Sequence, residues 1–270
     1  DFAAAYNAYN HALDDQGRPV SALLGRAGAR LFLGDRDGAF GDLTSAVDTS
    51  AAGNERYRAL MSVVYAHTYL RQLPQGLDRA EEAVAMWQGL GRPEMAAAAC
   101  NAVGRVLLET GSSGPALEWY DRGWGIVQGS AMKAEERPIW QVRHLHGAAR
   151  VAAQRRETRK AQTLADEAKS VMDSDAANAE HYKWIYPYLI GYLRWQDKRY
   201  DEAIEQLTKS ETDRAYIQYL IADSYARLRQ TENARAWFGK ALASASGLDP
   251  ESAIVRPLAA AWLAKNPAGS

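Results

Sequence analysis

Residues 184–213 read WIYPYLIGYLRWQDKRYDEAIEQLTKSETD. Gly191 sits in a first apolar run, Lys198-Arg199-Tyr200-Asp201-Glu202-Ala203-Ile204 opens a second, and Leu207 and Ser210 follow on it. Apolar residues at helical spacing on both sides of a short turn predict two helices. The spacing Gly191, Arg194, Ala203, Leu207, Ser210 recurs in both directions along the chain, about every 34 residues. Residues 215–246 carry Ala222, Tyr225, Ala234, Phe238 and Ala241 in the same slots. Residues 97–130 carry Gly104, Leu107, Ala116, Tyr120 and Gly123. Residues 20–53 carry Ala27, Arg30, Ala39, Leu43 and Ala46, and residues 142–175 carry Ala149, Ala152, Ala161, Ala165 and Ala168. A further copy reads Ala66, Tyr69, Ala80, Val84 and Trp87, with about two extra residues around Pro74-Gln75-Gly76.

The order has a packing reason. Two antiparallel helices approach closely only where small residues meet at the crossing. An aromatic or leucine fills the volume beside that crossing, and the next repeat buries the face left over. Arg30 and Arg194 break the rule, since both occupy a slot that is bulky and apolar elsewhere.

This period and its small–aromatic–small order resemble the tetratricopeptide repeat family. The resemblance implies an all-α fold, a right-handed α-solenoid (superhelix) of stacked antiparallel helix pairs. Residues 1–270 then form a single solenoid domain, with about six helix pairs over 20–246. Ala5, Tyr9 and Ala12 have second-helix spacing, so residues 1–16 read as an N-terminal half-repeat of a trimmed or processed longer protein, or as a lone cap. Asp249-Pro250-Glu251 is a helix start, with Asp as N-cap and Pro in the first turn. It opens a C-terminal capping helix over 250–265, in which Pro257 is expected to kink the pattern or delay its start, and 266–270 read as a frayed tail. Ala131-Met132-Lys133-Ala134-Glu135-Glu136 forms helices well and predicts an elongated helix reaching past the solenoid edge.

Composition narrows the function classes. Lys plus Arg total 32 against 33 Asp plus Glu, a net charge of −1, so no nucleic-acid footprint appears at the level of the whole chain. No apolar run is long enough to predict membrane insertion. The single Cys100 rules out an internal disulfide and a cysteine metal cage, and it sits among small residues as a core thiol. His144 and His146 are two apart on a helix and point in different directions. No metal site, cofactor loop or catalytic set emerges: Gly111-Ser112-Ser113-Gly114-Pro115 lacks the lysine of a phosphate loop and fits a turn between helices. The expectation is therefore a protein that is not an enzyme and needs no cofactor. Arg far outnumbers Lys and Ala is abundant, the composition of a GC-rich bacterial gene. Two compartments fit, cytoplasmic as the favoured reading, or exported after removal of a signal peptide.

The resemblance also implies that the first helix of each pair lines the concave face. Carried over by register, the groove positions hold Tyr188, Tyr192 and Trp195 in the copy at 184–213 and Tyr216, Tyr219 and Arg227 in the next. They hold Arg143, His146 and Arg150 in the copy at 142–175, and Asn101 and Arg105 in the copy at 97–130. An aromatic C-terminal half thus lies beside a basic middle. Arg offers a planar fork to carboxylates, and Tyr and Trp give large contact area at low entropic cost. The expected function is a protein–protein interaction or scaffold module that binds a peptide or partner protein in this groove. The alternative is a sensor domain that takes a small ligand or signal peptide and relays it to an attached output domain. In a third reading, a spacer without ligand, neighbouring helices would seal the groove aromatics.

Overall fold

The computed structural model describes residues 1–15 and 19–267. Gln16, the end of the expected half-repeat, and tail residues 268–270 lie outside the described residues. Helices follow one another with no strand among the described residues: α1 Phe2–Asp15, α2 Val20–Leu33, α3 Arg36–Thr49, α4 Asn54–Tyr69, α5 Leu77–Gly89, α6 Pro93–Glu109 and α7 Ser113–Gln128. Then come α8 Pro138–Gln154, α9 Thr158–Ser174, α10 Ala179–Gln196, α11 Tyr200–Leu207, α12 Ala215–Arg227, α13 Thr231–Ser244 and α14 Pro250–Lys265. The pairs α2/α3, α4/α5, α6/α7, α8/α9, α10/α11 and α12/α13 pack internally and against their sequence neighbours, so the chain is an all-α helical repeat solenoid.

The repeat slots are the core. Ala27, Ala39, Ala46, Ala116, Ala165, Ala203, Ala222 and Ala241 have no exposed surface. Gly191 shows why a small residue is required: a Cβ there would lie 2.6 Å from Leu207 Cγ on the paired helix. Tyr120 on α7 makes the same demand twice. Its ring would meet a Cβ at Gly104 on its own pair at 3.0 Å and one at Gly147 on the next pair at 2.6 Å. One aromatic therefore fills the gap within a pair and the gap between pairs.

The two basic departures from the pattern have partners. Arg30 pairs with Asp42 at 3.3 Å and Asp35 at 3.5 Å, and Arg194 pairs with Glu202 at 3.6 Å. Each cation lies near its helix C-terminus and reaches an acid on the second helix, where charge and helix dipole agree. The turns inside four pairs also carry a cation in the left-handed region, Arg71, Arg156, Lys198 and Arg229, at φ 60 to 65°. Glycine is the usual residue there, and a positive charge just past a helix C-terminus suits the helix dipole.

Two expectations need correction. Residues 131–136 do not extend a helix: α7 ends at Gln128, residues 131–133 are irregular, and only a short 3₁₀ turn, Ala134–Glu136, precedes α8. Pro138 is the first residue of α8 and cannot donate to a preceding turn. Arg137 pins the loop by donating to the Met132 and Ser130 carbonyls at 3.0 and 3.2 Å. Pro257 does not delay α14, which runs from Pro250, N-capped by Asp249 through Ser252 N–H at 2.8 Å.

Helix α14 does more than follow α13. It packs on α13 and α12 and reaches back to α4 and α6, first helices of pairs far earlier in the chain. The Arg256 guanidinium lies 4.2 Å from the centre of the Phe2 ring and 4.8 Å from that of Phe32. Trp262 stacks on Phe238 at 4.5 Å. The last helix thus lies along the inner row of first helices and occupies part of the concave face.

Candidate functional site

What α14 leaves open is a cavity of about 340 Å³ between α6, α8, α10 and the start of α14. Helix periodicity decides which side chains meet there. Asn101 and Arg105 are four apart on α6, and Arg143, His146 and Arg150 follow one another at three and four residues on α8. His181, Trp184 and Tyr188 form one stripe on α10, and Arg214 enters from the residue before α12. Apolar wall comes from Ala102, Tyr120, Val142 and Ile185, and Pro250 lines the side toward α14.

The charge on this wall is one-sided. Arg105, Arg143, Arg150 and Arg214 line the cavity together with two histidines, and no carboxylate does. The compensating acids stand behind. Glu109 accepts from Arg150 and from the Tyr216 hydroxyl, all three being buried or nearly so. Glu251 of α14 accepts from Arg105 at 3.1 Å, from Arg214 at 2.7 Å, and from the Tyr216 backbone N–H at 3.3 Å. Burial by itself would raise the Glu251 carboxyl, but Arg105, Arg214 and the Tyr216 amide outweigh it and hold it at about 2. Arg143 is different. Its guanidinium lies 4.6 Å from the centre of the Trp140 ring, and among the described residues it has no ion pair.

Several polar atoms on the wall lack a hydrogen-bond partner: Arg105 Nε, Arg150 Nε, His146 Nε2 and the Tyr188 hydroxyl. Burial, and then the charges of Arg150 and Arg105, push the His146 pKa well below its ordinary value, so the ring is neutral. Tyr188 is 6% exposed and sits at the hub of the rings, 5.1 Å from His146, 6.4 Å from Trp184 and 6.4 Å from Tyr216. Arg150, 3% exposed, lies 5.4 Å from the Tyr188 ring centre and 4.6 Å from that of Tyr192.

The residues expected in the groove therefore divide. Asn101, Arg105, Arg143, His146, Arg150 and Tyr188 come together on one cavity. Tyr192 and Tyr216 do not face it, and this corrects their reading as groove contacts. Both rings are almost fully buried, Tyr192 with its hydroxyl accepting from Gln196 at 3.0 Å and Tyr216 on Glu109. They seal the site from behind because α10 and α12 pack directly on each other. Trp195 donates to Asp223 at 2.8 Å and Tyr219 packs between Tyr216 and Phe238, so these two join helices. Arg227 is exposed and pairs with Asp223 at 3.4 Å, away from the cavity. Sequence reading missed His181, Trp184, Tyr120 and Arg214. The first two were within reach, since stepping back from Tyr188 at helical spacing leads to Trp184 and His181.

His144 points the other way from His146, onto Asp121 at 2.8 Å. Cys100 is fully buried, and burial raises its thiol to about 12. Among the described residues no group of three or more acids, histidines or cysteines is placed to hold a metal, and no helix is long and apolar enough to cross a membrane.

Residues 215–246, which form α12 and α13, match the family model described as tetratricopeptide repeat. That stretch is similar to a tetratricopeptide repeat. Solved structures are similar to this chain at low identity. A chain of the APC/C hetero-tetramer Cut9-Hcn1 is 14% identical with a TM-score of 0.47, over 96% of this chain and 46% of that one, so the present chain spans less than half of its length. A tetratricopeptide repeat protein from Parabacteroides merdae ATCC 43184 is 16% identical (TM-score 0.40, covering 89% of this chain and 98% of that one). The P58(IPK) TPR domain is 14% identical with a TM-score of 0.37, over 99% and 95% of the two chains. No curated protein matches the sequence at a significant level.

Proposed function

We propose that this protein is an interaction module that engages a peptide or partner protein through the cavity between α6, α8 and α10, not along the whole concave face. One observation carries the reading: six side chains picked out by the groove register of the repeat meet on a single cavity whose wall holds four arginines and no carboxylate. Helix α14 supports it from the other side, since it occupies the inner row at α4 and α6 and leaves this stretch open. A repeat scaffold supplies the rigid frame, and function resides in the side chains mounted on it.

The test is retention of a partner from the lysate of the protein's own cells by wild type and by Arg143→Glu. Arg143 makes no ion pair within the fold, so reversing its charge changes the cavity without opening the core. A partner held by wild type and lost by the variant, with unchanged helical circular dichroism, supports the proposal. Equal retention by both removes the cavity from the interaction.

A sensor is the second reading, and Glu251 favours it. This α14 carboxylate binds Arg105 and Arg214, which also line the cavity. An anion entering the cavity competes with Glu251 for the same guanidinium groups, and filling the site would thereby bias the seating of α14. A ligand-dependent change in radius of gyration by solution scattering supports this; identical curves at saturation count against it.

A further inference from the structure

The cavity also specifies the chemistry of its occupant. Its wall carries four guanidinium groups, and the two acids that offset three of them, Glu109 and Glu251, lie behind the wall and not on it. Arg143 has no acid at all among the described residues. A half-buried cation facing a low-dielectric space without a counter-charge is costly, and an anion placed there removes the cost. Tyr188 and Arg150, each more than nine-tenths buried, present a hydroxyl and an Nε with no partner, and neutral His146 presents its Nε2. Their side chains line the same cavity as Trp184. The site thus offers N–H and O–H donors for an oxyanion and flat apolar walls for the body attached to it.

Size sets the scale. About 340 Å³ lies at the small end of the range for small-molecule sites, roughly 300–1,000 Å³. Pro250 at the start of α14 lines one side, where Arg105 and Arg214 also line an adjoining cavity.

We propose that the cavity binds a free small organic anion, a carboxylate carried on a single flat apolar ring system, with Arg143 as its principal charge partner and the Tyr188 hydroxyl as an orienting donor. The inference rests on the second reading of this cavity, the small-ligand sensor, and goes further by naming the ligand class. Recognition then follows from the wall: a guanidinium fork takes the two oxygens, and the ring lies against Trp184. A neutral amide of the same shape leaves Arg143 uncompensated and binds more weakly.

Calorimetric titration of the full chain with benzoate, phenylacetate and indole-3-carboxylate, each beside its neutral amide and beside acetate, tests the proposal. A free-acid tripeptide, glycyl-glycyl-phenylalanine, supplies the other source of a ring with a carboxylate. The expected result is saturable one-to-one binding of at least one ring carboxylate, with its amide and acetate weaker by about tenfold or more. Arg143→Ala should lose about tenfold or more in affinity, and Arg143→Lys should recover part of it, with melting temperatures close to wild type. No binding of any ring carboxylate, or equal binding of acid and amide, overturns the proposal. Binding of the tripeptide alone also overturns it, yet leaves the cavity standing as a site for a protein segment. If nothing binds and Arg143→Glu retains its cellular partner as well as wild type does, the inference and both readings of the cavity fall together.

Discussion

Two arginine clusters set on or beside first helices of the repeats end in opposite states. On α2, Arg26 and Arg30 share Asp42 of the paired helix α3. Arg26 makes a two-pronged contact with it at 2.6 and 2.8 Å and donates a third bond to Asn10 at 2.8 Å. Every strong contact there joins neighbours in sequence, and the charge is spent inside the first repeats. In the middle of the chain, Arg105, Arg143, Arg150 and Arg214 come from two helices and a loop, their acids come from α6 and α14, and one cation is left over. The first cluster is an internal fastener. The second is a surface of like charge held at the edge of an open space. A repeat fixes where a side chain points, and the acid at the next register decides whether that side chain is structural or available.

The sharpest way to break this comparison is to remove Arg150. It is buried with Glu109, and Arg150→Ala leaves that carboxylate inside the protein with only the Tyr216 hydroxyl. A loss of about 3–5 kcal/mol in urea unfolding is expected, the range for stranding a buried charge. A loss below about 1 kcal/mol would mean that the central cluster is as exposed as an ordinary surface pair. Glu251 comes next. Its carboxyl is held at about 2, below its ordinary value, so its contribution is fully present above the unfolded value near 4 and disappears as pH falls through about 2. Docking of α14 should weaken across that window, by roughly 3 kcal/mol in all, followed through the fluorescence of Trp262 against Phe238. Glu251→Gln should flatten the profile between these pH values. A variant profile that overlays wild type would show that another acid seats the helix.

The fold was largely legible because its deciding residues are small. Ala203, Ala222 and Gly191 are read from spacing alone, since only volume matters at a helix crossing and volume is a property of the single residue. The site was legible by half. Register grouped Arg105, Arg143, His146, Arg150 and Tyr188, and these five line one cavity, because a helix row is local geometry. It could not separate Tyr188, which faces the cavity, from Tyr192, which the adjoining pair buries, since burial depends on how closely α10 and α12 approach. Nor could it bring Glu251 beside Arg105, a contact that spans most of the chain and exists only because α14 turns back along the inner face.

Asp42 sharpens the comparison from the closed side. Asp42→Ala removes the acid that both Arg26 and Arg30 use, but these guanidinium groups keep some solvent, with side chains 16% and 21% exposed. Arg26 also keeps Asn10, and Arg30 keeps Asp35. The expected loss is about 1–3 kcal/mol in denaturant unfolding, smaller than for Arg150→Ala. A larger loss would reverse the ranking and make the N-terminal fastener the more tightly sealed of the two.

Arg143→Ala should have the smallest effect on stability and thereby the clearest meaning. The side chain pairs with no acid, so its removal strands nothing, and it relieves repulsion among the cations of the wall. Against this stands one cation–π contact with Trp140, worth about 0.5–1 kcal/mol at a partly exposed site. The two contributions oppose each other, and unfolding free energy should stay within about 1 kcal/mol of wild type. A loss of several kcal/mol in the unliganded protein would show that Arg143 fastens the fold as Arg26 does, and the distinction between a closed cluster and an open one would collapse. Unchanged stability, combined with weakened binding, is the combination that a structural cation cannot produce.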